Sequence, residues 1–331
     1  MKRKITLFTI ALVSSLMTVQ PALAGKHTLQ DISPKIEKLS QGLVGRVGVA
    51  AQEIGSGASI TVNGDQTFAM ASTYKIAIAA AVLDRVDKGE LSLEQLVEVP
   101  RDMFVTGVMA LAETFPHPGI KLSVANLIEV MITESDNTAT DVCMELAGGA
   151  AVVTKYLRRL GIKDFRVDRT TREILMDFYG LPGATPEIVA EGIKNNPALV
   201  MAQIDPNPDF EADPRDHATP LAMLKLLLAI DSGTAMSAES SKFLLAVMSR
   251  TRTGAGRIKG LLPKGTPVAH KTGTAGGIAN DVGYITLPDG RRFAIAVFTN
   301  SSKTPVESRD RAIAEISRTI YDFFYLTTPD K

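Results

Sequence analysis

The sequence predicts an α+β fold: an antiparallel sheet built from both chain ends and flanked by helices, with an all-helical lobe inserted between them. Three observations predict it. Alternating apolar runs fall at 44–62 and return at 268–299. The stretch between them repeats its apolar residues at helical spacing. Asp289-Gly290 then joins the last two runs as a hairpin. With 45% hydrophobic residues in 331, the chain can bury a sizeable core and holds one or two domains.

Taken in order, Lys2, Arg3 and Lys4 precede an apolar run from Ile5 to Met17 and the small-residue site Ala22-Leu23-Ala24. That is the pattern of a secretory leader, residues 1–24, cut after Ala24 to give an exported, periplasmic or secreted chain of residues 25–331. No later run is long enough to span a membrane, and no cysteine near the cut offers a lipid anchor. Residues 28–41 read as a helix. Val44–Ile54 and Ala58–Val62 read as strands, turned at Gly55-Ser56-Gly57. A helix opens at Ser72. Leu91–Leu122 reads largely as loop. Helical spacing resumes at Ser123–Glu134, Thr138–Leu146 and Ala151–Leu160, with Gly148-Gly149 and Gly161 as stops. Residues 181–216 are proline-rich, around one helix starting at Pro186 and capped by Thr185. Helices follow at Pro220–Ile230 and Ala238–Thr251, strands at Val268–Thr272, Gly283–Leu287 and Arg292–Thr299, and an amphipathic helix at Val306–Tyr325 closes the chain. The sheet-bearing lobe is thus expected over 25–70 and 254–331, and the helical lobe over 71–253.

Composition excludes several classes. Thirty-six Lys and Arg balance 36 Asp and Glu, and nothing suggests a nucleic-acid partner. Cys143, the one cysteine, rules out an intramolecular disulfide and sits in an apolar helical pattern, as a buried structural thiol does. The four histidines have no metal-ligand spacing, so neither a metal nor another cofactor is expected.

The chemistry starts from Ala71-Ser72-Thr73-Tyr74-Lys75. Ser72 can be read as a helix cap, with Lys75 snorkelling to water. Alternatively, the i,i+3 spacing puts the amine within reach of the hydroxyl, and a dry pocket would let Lys75 take the proton of a nucleophilic Ser72. Two further strings arbitrate: Ser135-Asp136-Asn137 at a junction of helices, and Lys271-Thr272-Gly273-Thr274 on a strand. Each is ordinary alone. In the order Ser-x-x-Lys, Ser-Asp-Asn, Lys-Thr-Gly they form the signature set of penicillin-recognising serine enzymes.

With "FAMASTYK", "MITESDNTATDVCMELAGG", "HKTGTAGG", "RVDR" and "RDHATP" around these motifs, the chain resembles the class A β-lactamase family over essentially residues 25–331. The resemblance implies a β-lactamase/transpeptidase-like catalytic domain, usually monomeric, with the site between its lobes. It implies Ser72 as the acylated nucleophile, Lys75 as its base or part of the proton relay, and Ser135 as proton donor to the leaving nitrogen. Asn137 would hold the substrate amide. Lys271, Thr272, Thr274 and Arg257 would meet its carboxylate, and the Ser72 and Thr274 N–H groups would hold the oxyanion. Expected partners are small molecules, a β-lactam or a peptidoglycan-like acyl donor.

One part of the family pattern is broken. Class A enzymes deacylate with a loop glutamate and an asparagine four residues on. Counting from Arg169 without a gap puts Thr171 and Leu175 there; counting back from Asp216 gives Gln203 and Asn207. The loop, pinned at its neck by Arg169 and Asp216, spans 170–215 and is about thirty residues longer than is usual for the family. Glu173 with Asp177 restores the spacing if two residues are inserted after Arg169, against the plainer reading of Glu173 as a solvated acid. Glu134 and Glu211 are weaker candidates, and His270 reads as structural. The leading expectation is a serine hydrolase that opens the β-lactam ring through acyl-Ser72. The alternatives are a D-Ala-D-Ala carboxypeptidase or esterase, or a penicillin-binding sensor that deacylates slowly because the loop glutamate is missing.

Overall fold

The computed structural model describes residues 32–181, 183, 185–196, 199 and 204–327. The expected leader and Gln203 lie outside the described residues.

Five antiparallel strands, β1 (Arg46–Glu53), β2 (Ser59–Val62), β7 (Val268–Ala275), β8 (Ile278–Thr286) and β9 (Arg292–Asn300), form the main sheet in the order β2-β1-β9-β8-β7. The two chain ends meet where Arg46 pairs with Asn300 and Glu53 with Phe293. β8 and β9 are buried along nearly their whole length, because helices cover both faces of the sheet. That double burial removes the alternation from which strands are read. It is why β8 begins at Ile278, ahead of the expected Gly283, and carries the buried polar residues Asn280 and Asp281.

On one face pack α1 (Ser33–Gln41) and α12 (Val306–Leu326), whose Ile36, Ile313, Ile316 and Ile320 meet Val47, Val49 and Ile295 of the sheet. A larger core on the other face joins the sheet to the helical lobe. At its centre lies α2 (Lys75–Asp87), buried from Lys75 to Leu83. A helix apolar on every side needs neighbours on every side. α4 (Val124–Thr133), α5 (Asn137–Ala147), α6 (Ala150–Arg159) and α11 (Ala238–Ser249) supply them, while α10 (Pro220–Asp231) packs on the sheet. Their ends follow local chemistry: Ser123 caps α4 by accepting from Asn126 N at 3.2 Å, Asp136 caps α5 by accepting from Ala139 N at 2.7 Å, and Gly148 closes α5 at φ 96°.

Residues 91–122 hold more than loop: β4 (Leu96–Val99) pairs with β5 (Ile120–Ser123) around the short α3 (Ala110–Thr114). The long loop is also structured, by α7 (Thr171–Phe178), α8 (Pro186–Asn195) and α9 (Pro208–Ala212). At its base β3 (Phe68–Ala69) pairs with β6 (His217–Ala218). No helix among the described residues is long and apolar enough to cross a membrane.

Candidate active site

Ser72 sits in a 3-10 turn, Ala71–Tyr74, that runs directly into α2. Its hydroxyl caps nothing, and Lys75 is fully buried rather than snorkelling, so the bland reading of the pair fails on both residues. Ala71 is held at φ 44° immediately before the serine. Edge strand β7 presses against this turn. A Cβ on Gly273 would stand 2.5 Å from Met70 O and 3.0 Å from Ser72 N, so only glycine permits the approach. Asn280 of β8 ties the same turn down, donating to Ala69 O and Met70 O at 3.0 Å each.

Lys75, Ser135 and Lys271 converge from three segments. Lys75 Nζ donates to Ser135 O at 2.7 Å and Asn137 Oδ1 at 2.9 Å, and lies 3.3 Å from Ser135 Oγ. Lys271 Nζ donates to Ser135 Oγ at 2.9 Å and to Thr272 O at 2.8 Å. Ser135 reaches this position through a left-handed backbone, φ 63°. Burial pushes Lys75 down to about 7, against the opposing pull of Asp136 and Asp141. Burial drives Lys271 well below the ordinary lysine range, and the charge of Lys75 pushes the same way. The result is an amine that is partly neutral near pH 7, beside a serine hydroxyl whose proton is free to move.

The remaining expected ligands differ in how they are placed. Thr274 lines the cleft with Ser72, Asn137 and Gly107. Asn137 gives one amide N–H to Thr106 O at 2.7 Å, leaving the other for a substrate carbonyl. Thr272 Oγ1 lies 2.5 Å from Thr253 Oγ1. Arg257, expected to meet the substrate carboxylate, stands behind Thr274. It is buried and committed to Asp310 Oδ1, Gly273 O, Asn280 O and Thr274 Oγ1 at 2.7–3.0 Å. Its Nη2 donates to the Thr274 hydroxyl and so orients it.

The family model of the Beta-lactamase enzyme family matches residues 31–324. The chain is 32% identical over 303 residues to "Beta-lactamase VEB-1" of Pseudomonas aeruginosa, covering 89% of this chain and 90% of that one. It is 30% identical to a Bacteroides uniformis β-lactamase over 94% and 97% of the two chains. The crystal structure of TLA-3 extended-spectrum β-lactamase superposes with a TM-score of 0.74 at 31% identity, over 89% of this chain and 99% of that one. The chain belongs to the β-lactamase enzyme family. A solved β-lactamase from Chitinophaga pinensis agrees, with a TM-score of 0.73 at 32% identity over 88% and 99%.

In this β-lactamase-family chain the loop neck closes through Arg169 and Asp216. Arg169 Nε donates to Asp216 Oδ2 at 2.6 Å, and the backbone N–H groups of Asp168 and Arg169 donate to Asp216 Oδ1 at 2.7 and 3.2 Å. The other arm of Arg169 reaches Asp177 at 2.6 Å and Asp213 at 3.2 Å. Asp177 is therefore a strut of the loop. Beyond the neck α7 turns Thr171, Ile174, Leu175 and Phe178 toward a cleft of about 520 Å³, at i, i+3, i+4 and i+7.

The ungapped count thus finds two of the loop positions that face the site, and neither carries an acid or an amide. Glu173 stands two residues out of phase, exposed to solvent, and its carboxylate accepts from Thr170 N at 2.8 Å while Thr170 Oγ1 accepts from Glu173 N at 3.2 Å. It completes a helix capping box and does not line the cleft. Asn207 caps α9 and donates to Phe178 O. Glu134 pairs with Arg252, and Glu211 accepts from Ser301 Oγ. His270 is buried against Asp281 at 2.8 Å, on the back of β7. Cys143 is buried and its thiol is pushed up by burial, which makes it inert.

Two contributors were not singled out from the sequence. Tyr74 lines the cleft and its hydroxyl lies 2.7 Å from Thr171 Oγ1. Asp141 lies behind Thr171 and accepts from its backbone N–H at 2.6 Å. The signal for Asp141 was its i+4 spacing from Asn137 on α5.

Proposed function

We propose that this chain is a serine β-lactamase, opening the β-lactam ring through an acyl-Ser72 intermediate. The observation that carries this reading is the convergence of Lys75 and Lys271 on Ser135 beside an uncapped Ser72. Neutral Lys75 takes the Ser72 proton as Oγ attacks the β-lactam carbonyl carbon. The developing oxyanion is held by the N–H groups of Ser72 and Thr274, where Gly273 lets β7 come close. The proton passes from Lys75 through Ser135 Oγ to the ring nitrogen as the C–N bond breaks. Lys271, with the Thr272 and Thr274 hydroxyls, offers charge and donors for the substrate carboxylate. The names of the curated relatives, β-lactamases throughout, support β-lactams as the substrate class. Export as a monomer to the periplasm completes the reading. The export is supported by the basic start, the apolar run and Ala22-Leu23-Ala24, and the monomer is carried over from the family resemblance.

The test is intact-mass analysis of the protein mixed with a penicillin, alongside loss of free drug. Catalytic loss with a transient adduct that disappears in Ser72→Ala is expected. Stoichiometric loss with a permanent adduct would instead make the protein a penicillin-binding acyl acceptor. No adduct at any time would remove Ser72 from the chemistry.

A further inference from the structure

Hydrolysis of acyl-Ser72 requires a base for water, and Thr171 stands where the family's loop glutamate is expected. Among the described residues that line the cleft, the one carboxylate is Asp216. Its oxygens are filled by Asp168 N, Arg169 N and Arg169 Nε at the loop neck. One other carboxylate lies a single side chain behind the cleft wall. Asp141, on α5 and 7% exposed, accepts from Thr171 N at 2.6 Å and from Arg172 N at 3.0 Å. The Thr171 hydroxyl is near enough to the same carboxylate to pull its proton affinity down against the effect of burial. On its other side that hydroxyl is 2.7 Å from the buried Tyr74 hydroxyl. Tyr74 and Thr171 both line the cleft with Ser72.

We propose that Tyr74, Thr171 and Asp141 form the deacylating unit of this protein. The Tyr74 hydroxyl meets the water, and Asp141 receives its proton through Tyr74 and Thr171. The proposal rests on the β-lactamase reading above. The relay requires one direction: Thr171 donating to Asp141 and Tyr74 donating to Thr171 across 2.7 Å, with the Tyr74 oxygen left to accept from a water in the cleft. The water proton moves along this chain to Asp141 as the water oxygen bonds to the ester carbonyl carbon. The tetrahedral intermediate then collapses, the carbon–Oγ bond breaks, and the Asp141 proton returns along the chain to Ser72 Oγ. The product leaves as a free acid and Ser72 and Asp141 are restored. Burial lifts the Asp141 carboxyl above its ordinary range, against the pull of its hydrogen bonds, which makes it a better proton acceptor. Burial, with the nearby Asp141 charge, holds Tyr74 well above its ordinary range, so it relays a proton without ionising. The acid function has thus moved from the loop to helix α5, and Thr171 stands where the family glutamate is expected.

The test separates the two half-reactions with a chromogenic cephalosporin, using stopped-flow acylation and the lifetime of the Ser72 adduct by mass. Thr171→Val keeps the backbone bonds to Asp141 and removes only the relay hydroxyl. It should lengthen the adduct lifetime by roughly 10²-fold with little change in acylation, and Thr171→Ser should restore it. Asp141→Asn, which keeps an oxygen for Thr171 N, should act like Thr171→Val, with near-UV circular dichroism confirming the fold. Turnover by the wild type with unchanged lifetimes in Thr171→Val and Asp141→Asn would overturn the relay and leave the hydrolase reading intact. A wild type that itself stays acylated would overturn both.

Discussion

Lys271 donates to the Ser135 hydroxyl across 2.9 Å although 136 residues separate them. The contact joins edge strand β7 to the junction of α4 and α5, and so joins the sheet to the helical lobe. It also fills one acceptor site of Ser135, which leaves the hydroxyl proton free to pass between Lys75 and a leaving group. Two buried amines on one hydroxyl disfavour carrying two charges at once. An anionic substrate beside Lys271 would relieve that repulsion and make binding and proton transfer cooperative.

Acylation should therefore follow the ionisation of Lys75. With Lys75 lowered to about 7, the rate should rise with pH through that value and level off above it. Stability should rise with pH too. Between pH 7 and the unfolded lysine value of 10.5 the unfolded chain binds the extra proton, and the sign of the linkage then favours the folded state as pH increases. The span of the effect is on the order of a few kcal/mol for this fully buried group. Lys75→Met should abolish rapid acylation and reduce the rise of stability with pH, the buried Lys271 keeping its own share, measured by stopped-flow acylation and by urea unfolding at a series of pH values. A wild-type acylation rate that does not change between pH 6 and 8 would count against Lys75 as the base.

Gly273→Ala should cut acylation sharply while leaving most of the fold intact. Its methyl would meet Met70 O at 2.5 Å, so β7 must move away from the Ser72 turn and widen the oxyanion site. Loss of one well-placed oxyanion donor costs about 10²-fold. Burst kinetics with a chromogenic β-lactam give the measure, and an unchanged burst rate would exclude Gly273 as the positioning residue.

Glu173→Gln should leave turnover unchanged within error. Glutamine fills the same capping box at N3, and the side chain does not line the cleft. Glu173→Ala should lose roughly 0.5–1 kcal/mol of stability and little rate. A large fall in kcat for Glu173→Gln would return the loop acid to the mechanism and remove the need for Asp141.

Arg169→Ala should destabilise the protein by about 3–5 kcal/mol, because it leaves Asp216 buried without its cation. The same change frees Asp177 and Asp213 from the strut that holds the long loop. Urea unfolding should show the loss, and limited proteolysis should cut within residues 170–215 earlier than in the wild type. A double-mutant cycle with Asp216→Asn isolates the neck pair, and additive effects would argue against it.

Much of this organisation was legible along the chain. Thr185 announces its helix because its side chain can accept an orphan N–H, and in the structure Ser123, Asp136, Thr219 and Ser237 cap theirs in the same way. β4, β5 and α7 were harder. The two strands are short and half exposed, and α7 begins in a segment whose charged residues belong to the loop neck rather than to a helix pattern. β8 begins ahead of the strand read from the sequence because burial on both faces removes the alternation at Asn280 and Asp281. In the fold they are buried ligands of the Ser72 turn and of Ile258 N.

The sequence by itself determined the two chain ends that pair into one sheet, the three motifs of the acylation centre in their order, and the absence of the loop acid from its expected place. Those are local or ordered facts, carried by periodicity and by side-chain chemistry at short spacing. Tertiary structure alone decided the phase of α7 against the cleft, which sets Thr171 and Leu175 inward and Glu173 outward. It also decided that Arg257 spends its guanidinium on Thr274 and the backbone, and that Asp141 lies behind Thr171. Above all it buried Lys75 completely. Spacing can bring an amine near a hydroxyl, but only exclusion of water lowers its proton affinity far enough for it to act as a base.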